Sequence, residues 1–387
     1  MAKRIKHYRS KSIYGRSNRR KRRFKKIAIW VVSLIVLFYA GYYLIGAPLV
    51  NKNKNEGTSN PTEIVSTPNN NEIISENNSI PPENTNTNFK SGYADFNIIS
   101  SKEKLSSHLK TLKENGYNSC AFELKDQTGT IFYNTSLEQA EKAKAKSETP
   151  VDLDMILQVF NENAIIPLPI ISAFKDQKAA TKLAGAAIWY QNTEGYLWLD
   201  NYADKGGKPW LNPFSSVAKK YICDIQNEIL SKGFKNIIID NVKFGAKINN
   251  NLAGFGSEAT GKRIDAITSF TKQCEEVAKN NQATVFFAFD IEEIVFDSTN
   301  YIDGNVLQTG VLNIAPVYGI ASLKNNITIG TTLIENPKDM AKDTTIAINN
   351  LIKSKLPQTR IVSILTDYDS IKSTQKTADT DMDYIEK

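Results

Sequence analysis

Apolar residues along positions 90–387 fall into short, nearly continuous runs, separated by longer stretches in which they recur every three or four residues. Runs without polar alternation are what strands buried on both faces require. They predict strands over 93–99, 119–124, 165–171, 236–240, 284–289, 311–315, 327–334 and 360–365. The three-to-four spacing predicts amphipathic helices, among them 102–114, 152–161, 215–232, 262–280 and 338–353. Glu114-Asn115-Gly116-Tyr117 and Lys232-Gly233-Phe234 carry the Asn-Gly or Gly that stops a helix ahead of the next strand. Eight strands alternating with helices over 298 residues is the count of a (β/α)8 barrel, so the predicted fold class is α/β, a TIM-type barrel. A doubly wound open sheet is the alternative. Its glycine-rich phosphate turn is missing here, since neither GxGxxG nor a Walker loop occurs.

Upstream the pattern changes twice. From Ile27 to Asn51 there is no charged residue in 25 positions. As a helix at 1.5 Å per residue this stretch is about 37 Å long, enough to cross a hydrocarbon core of about 30 Å with some tilt. Trp30, Tyr39, Tyr42 and Tyr43 suit the interfaces. Residues 27–50 are therefore expected to form a transmembrane helix. A cleaved signal peptide is the alternative, but the apolar run is long for one and no small-x-small cleavage site follows it cleanly. Residues 51–89 are rich in Asn, Thr, Ser, Pro and Glu and poor in apolar residues, the composition of a disordered linker. The expected organisation is a tail (1–26), a membrane helix (27–50), a linker (51–89) and a barrel (90–387).

The net charge of +7 suggests a nucleic-acid partner until it is divided by region. Residues 1–26 hold 13 of the 48 Lys and Arg and no acid, which leaves 35 basic residues against 41 acidic ones, or −6, in the rest. The basic tail is expected to stay cytoplasmic and direct the C-terminal body outward, and no nucleic-acid partner is expected. Two histidines, His7 and His108, and three cysteines without a CxxC pair exclude a Ser-His-Asp triad and the usual zinc and iron sites. No metal or cofactor is expected. His108 is placed on an exposed helix face with no role, and Cys223 and Cys274 as buried free thiols on neighbouring helices. The chemistry rests on carboxylates, Lys, Tyr or Ser.

Carboxylates recur where barrel strands end, the edge at which barrel sites are built. Asp126 follows the second strand, Asp240 ends the fourth, Asp290 ends the fifth with Glu292 and Glu293 behind it, Glu335 follows the seventh and Asp367 the eighth. Asp after a strand also serves as a turn or helix N-cap residue. Asp240 and Asp290 stand out because each directly follows an apolar run, where a carboxylate costs desolvation energy unless it is paired or used. Two carboxylates on neighbouring strands are what glycoside hydrolysis needs. The loop after the third strand holds Trp189, Tyr190, Tyr196, Trp198, Tyr202 and Trp210. These offer faces for stacking on sugar rings, or else form a small core on the barrel rim.

Several motifs in order resemble those of a bacterial putative glycosyl hydrolase domain family related to α-amylase-like barrels. Lys125-Asp126-Gln127-Thr128-Gly129 with Tyr133, Phe174-Lys175-Asp176, Trp210-Leu211-Asn212-Pro213, Gly233-Phe234 leading to Asp240 and Phe244, and Ala288-Phe289-Asp290 carry the likeness. It runs over nearly all of 91–355. The resemblance implies a TIM-type barrel outside the cytoplasm with polysaccharide or cell-wall glycan as its partner. Asp240 is then the expected nucleophile or base and Asp290 the expected acid. Lys125, Asp126, Lys175, Asp176, Trp198, Trp210, Asn212, Lys243 and Tyr318 are the expected substrate-binding residues. The chain also departs from the family. The third-strand Arg is Ile170, the Tyr, Arg and Pro after the fourth-strand Asp are Asn241, Lys243 and Gly245, and Ile291-Glu292 replaces Phe-Gly after the fifth. Ala315-Pro316-Val317-Tyr318 follows the family's Pro-Met-x-Tyr loosely, without its Ser-His. Two readings stand: a membrane-anchored glycoside hydrolase with a carboxylate pair, or an inactive barrel that binds glycan or a cell-envelope partner.

Overall fold

A computed structural model describes residues 88–387 apart from 246–249, 298, 300 and 367–382. The expected tail, membrane helix and nearly all of the expected linker lie outside the described residues. Among the described residues no helix is long and apolar enough to cross a membrane.

Eight parallel strands close on themselves. They are β1 (Lys90–Ala94), β2 (Ser119–Lys125), β3 (Ile166–Ser172), β4 (Asn236–Asp240), β5 (Thr284–Asp290), β6 (Asn313–Tyr318), β7 in two pieces (Arg360–Ile361 and Ser363–Leu365) and β8 (Tyr384–Glu386). Each pairs in parallel with the next, and β8 pairs with β1 to complete the ring. The protein is thus mixed α/β, an eight-stranded parallel barrel consistent with a TIM barrel.

The period of two along each strand divides the side chains between two cores. Phe89, Ala121, Leu168, Ile170, Ile238, Phe286, Ala288, Ala315, Val362, Ile364 and Ile385 fill the interior. The alternate residues pack outward against helices Lys102–Glu114, Leu153–Asn163, Ser216–Ser231, Arg263–Asn280 and Ala341–Lys355. Three of these helices start where an N-cap expects them. Ser101, Asp152 and Ser215 accept backbone N–H groups of the first turn. Cys223 and Cys274 face each other across two of the helices as free thiols, Sγ to Sγ 3.9 Å.

Four expectations need correction. The first strand runs Lys90–Ala94, because Asp95 accepts the N–H of Ile98 and turns Phe96–Ile99 into a helical turn. Residues 327–334 are not a barrel strand. They form an antiparallel hairpin, Ile327–Ile329 with Thr332–Ile334, turning at Gly330 (φ +60°), and Leu333 faces solvent. The run at 360–365 is therefore the seventh strand, and three residues, Tyr384–Glu386, supply the eighth. Phe89, assigned to the linker, is buried in the barrel floor under the Arg360 guanidinium, 4.3 Å from its ring centroid.

Candidate active site

The inward positions at the C-terminal ends of the strands are set by the same alternation. Above the apolar interior stand Tyr93 on β1, Glu123 on β2, Ser172 on β3, Asp240 on β4, Asp290 on β5 and Val317 on β6, with Lys387 just past β8. In register Ser172 lies beside Asp240, and Ile239 lies beside Phe287. Asp290 therefore projects one inward step higher than Asp240 on the neighbouring strand.

Asp240 is held by the backbone it precedes. The N–H of Asn241 donates to Asp240 Oδ1 at 2.6 Å, and Asn241 takes the left-handed conformation (φ +55°) that Asn tolerates. Asn241 Nδ2 then donates to Ser172 Oγ at 3.1 Å, tying β4 to β3. Burial raises the proton affinity of the Asp240 carboxyl above the ordinary range. The Asn241 N–H and the Lys243 and Lys387 ammonium groups offset this only in part, and the Asp290 charge adds to it.

Asp290 has a different environment. Its side chain is 47% exposed, and Lys243 Nζ donates to Asp290 Oδ2. The same ammonium lies 3.7 Å from Glu293 Oε1 and 4.8 Å from the ring centroid of Tyr301. Burial would lower the proton affinity of Lys243, but the charges of Glu293, Asp290 and Asp240 outweigh it and raise it. Glu293 Oε2 accepts the N–H of Asp290 at 3.1 Å. Burial pushes Glu293 up to about 7, against the pull of Lys243 and helped by Asp290 and Asp240. Across the mouth Lys387 Nζ donates to Glu123 Oε1 at 2.7 Å and lies 5.4 Å from the Tyr93 ring. Burial raises the Tyr93 phenol well above its usual range, with Glu123 adding to the effect. His108 is not free on its helix: Nε2 contacts the Tyr93 carbonyl at 3.1 Å. No group of three or more His, Cys, Asp or Glu side chains suited to a metal lies among the described residues.

Most of the expected substrate-binding residues are placed elsewhere. Lys125 and Asp176 are fully buried and pair with each other (Nζ to Oδ2 2.9 Å), while Lys125 also donates to the Ser172 carbonyl at 2.6 Å. Trp198 and Trp210 are buried in the loop after β3, where Trp210 Nε1 donates to Asp200 Oδ2 at 2.8 Å. Asn212 is buried, with Nδ2 on the Phe255 carbonyl and Oδ1 on the Phe214 N–H. Tyr318 is buried and donates to Asn349 Oδ1 at 2.8 Å. All six are buried, and Trp198 also lines the cleft of the loop after β3. Asp126 caps its own loop, accepting from Thr128 and Thr130. Lys175 donates to Gln127 Oε1 at 2.6 Å. Lys243 alone of the nine meets the Asp240–Asp290 pair.

Sequence reasoning passed over Glu123, Lys387, Tyr301 and the buried state of Glu293. Glu123 carried a signal, a lone charge inside an apolar run; Lys387 carried none. The aromatic loop divides by burial. Its tryptophans form a small core over short antiparallel bridges, and Tyr190, Tyr196 and Tyr202 turn outward. Tyr190 and Tyr202, with Leu197, Trp198, Leu199, Asn201 and Ala203, line an open cleft of about 190 Å³.

Comparison with known proteins matches residues 92–313, more than half of the chain, to the family described as a putative glycosyl hydrolase domain. Among solved structures, the chain resembles the PgaB (BpsB) glycoside hydrolase domain from Bordetella bronchiseptica at 9% identity and a TM-score of 0.51, covering 77% of this chain and 93% of that one. A hypothetical protein from Ruminiclostridium thermocellum ATCC 27405 matches at 22% identity and a TM-score of 0.44, over 50% of this chain and 95% of that one. The GH20 β-N-acetylhexosaminidase from Streptomyces coelicolor A3(2) matches at 10% identity and a TM-score of 0.40, over 71% of this chain and 47% of that one. At 9% identity the likeness to the PgaB (BpsB) domain is one of fold. No curated protein matches the sequence.

Proposed function

The chain belongs to the putative glycosyl hydrolase domain family, and we propose that it hydrolyses glycosidic bonds of a cell-wall or surface polysaccharide with Asp240 and Asp290. The observation that carries this reading is the contrast between two carboxyls on adjacent strands. Both residues are half-buried, but desolvation raises the proton affinity of Asp240, while the Asp290 side chain is 47% exposed and carries an ammonium. Glycosidases separate an acid from an ionised partner by such differences of environment. The contrast supports Asp240 as the proton donor to the leaving oxygen and Asp290 as the ionised partner, the reverse of the roles implied by resemblance. In one hydrolytic event the C–O bond breaks, the Asp240 proton goes to the leaving oxygen, and water supplies hydroxide to the anomeric carbon. Asp290 takes the proton of that water, or first forms a glycosyl ester that water then opens, releasing the Asp290 carboxylate and giving its proton to Asp240.

In this reading residues 27–50 anchor the protein in the cell membrane with the tail inside, and the linker holds the barrel toward the substrate. The test is release of new reducing ends from wall glycans by the full chain. Asp240→Asn and Asp290→Asn are each expected to lose about 10²–10⁴-fold. No release from any glycan, or Asp240→Asn indistinguishable from wild type, overturns it.

The exposed tyrosines favour a second reading, an inactive barrel that binds glycan. Tyr196 is 68% exposed, and Tyr190 and Tyr202 flank the cleft. The negative face of an aromatic ring suits the C–H face of a pyranose. Binding that falls with Tyr196→Ala and Tyr202→Ala but survives Asp240→Asn and Asp290→Asn identifies this case.

A further inference from the structure

Glu293 has no part in the hydrolytic scheme, yet it is built into the site. It lies in the short helix Ile291–Val295 that begins where β5 ends. Oε2 is occupied by the Asp290 N–H, and Oε1 has no hydrogen-bond partner although it is buried. That open oxygen faces Lys243 Nζ at 3.7 Å, just beyond hydrogen-bond reach. The ammonium is meanwhile bonded to Asp290 Oδ2. One cation thus stands between two carboxylates of opposite character: Asp290, 47% exposed, and Glu293, 2% exposed. A substrate that uses Asp290 must displace the ammonium from it. A buried ammonium cannot be left without a partner, and Glu293 Oε1 is the acceptor already beside it.

We propose that Glu293 is the alternate seat of the Lys243 ammonium: when substrate engages Asp290, Lys243 moves its hydrogen bond from Asp290 Oδ2 to Glu293 Oε1 and frees Asp290. Glu293 is therefore a positioning residue, acting on the reaction through Lys243. The proposal rests on the hydrolase reading above. It breaks one hydrogen bond and forms another, with no covalent change. The groups that face Glu293 are Lys243, Asp290 and Asp240. Glu293 receives the ammonium only when ionised. With its proton affinity raised to about 7, it is neutral in acid and leaves Lys243 on Asp290. As the pH rises through that value it ionises and competes for the cation. Availability of Asp290 therefore rises with pH.

Two measurements on the full chain test this. The first is kcat/KM for glycan release from pH 5 to 9. Wild type is expected to climb about tenfold per pH unit below a midpoint near 7 and to fall again only where Asp240 loses the proton it donates. Glu293→Gln should lose this limb and fall about tenfold or more at pH 8. Glu293→Asp should keep the limb with a moved midpoint, which a merely structural role would not produce. The second is the ¹⁵N signal of the Lys243 ammonium, assigned with Lys243→Arg. It should shift with a midpoint near 7 in wild type and stay fixed in Glu293→Gln. An unchanged pH profile in Glu293→Gln, or a Lys243 signal that does not move in wild type, overturns the proposal. Absence of hydrolysis defeats the hydrolase reading alone; the lysine signal in wild type still decides the exchange, and does so even if Glu293→Gln and Glu293→Asp fail to fold.

Discussion

At the scale of single residues, the motifs that carry the family likeness hold the mouth of the barrel together. Lys125 reaches from β2 to Asp176 behind β3, and Asp176 in turn accepts the N–H of Ala179 to start the helix Gln177–Lys182. Gly129 (φ +92°) completes the arrangement, since a Cβ there would lie 1.9 Å from Asp176 Oδ1. Removing one partner of a buried ion pair strands the other charge and costs about 3–5 kcal/mol. Lys125→Met is expected to lose that much in denaturant unfolding, and Lys125→Met with Asp176→Leu to recover most of it. A loss confined to activity would return the pair to substrate binding. Glu293 gives a prediction of the opposite kind. Its carboxyl rises from 4.5 to about 7 on folding, so the folded chain holds this proton more tightly than the unfolded one. The stability from this group is full below about pH 4.5 and is lost as pH rises through 7, a loss of about 3 kcal/mol. Glu293→Gln should match wild type at pH 4 and exceed it at pH 8. Asp240, shifted in the same direction, should leave some slope in the variant.

At the scale of elements, strands enclosed by both cores were legible because enclosure leaves one mark on a sequence. β2, β3 and β5 read as nearly continuous apolar runs, and most of their residues are buried on both faces. The hairpin at 327–334 carries a similar composition with Gly330-Thr331 at its centre, and a two-residue turn folds it back on itself outside the barrel. β8 escaped for the converse reason. Tyr384-Ile385-Glu386 has one inward apolar residue, and its neighbours β7 and β1 supply the rest of its enclosure. The site divides in the same way. Asp240 and Asp290 were legible as charges ending apolar runs, whereas the burial of Trp198 and Trp210 depends on a loop from elsewhere. Gly245, after β4, packs against both rings, and a Cβ there would lie 2.7 Å from each. This accounts for glycine where the family has proline. Gly245→Ala should therefore loosen the loop between β3 and the helix Ser216–Ser231. Limited proteolysis should cut it within 189–210 much faster than in wild type while the barrel core stays intact. Equal rates of cleavage would show that the loop does not depend on this contact.

At the scale of the whole molecule, charge is partitioned in a way that fits the proposed orientation. The 13 cationic residues of positions 1–26 precede an uncharged run of 25, and the rest of the chain carries −6. Lys and Arg beside a membrane helix resist translocation, so the tail is expected to stay inside while the acidic body crosses. On the proposed anchoring, 39 flexible residues at positions 51–89 would give the barrel a reach of about 30–40 Å. That reach matters for the proposed chemistry, because an immobile polymer is cleaved only within the volume that the tethered site can sweep. Orientation and tether make separate predictions. In intact cells or protoplasts, added protease should remove residues 90–387 and spare the tail. Replacing the tail's Lys and Arg with Gln should make part of the population resistant. Halving the linker should leave hydrolysis of soluble glycan unchanged and reduce hydrolysis of assembled wall. A body protected from external protease would overturn the orientation. A protein recovered without residues 1–50 would show that the apolar run is a cleaved signal, and the barrel would then reach its substrate by diffusion.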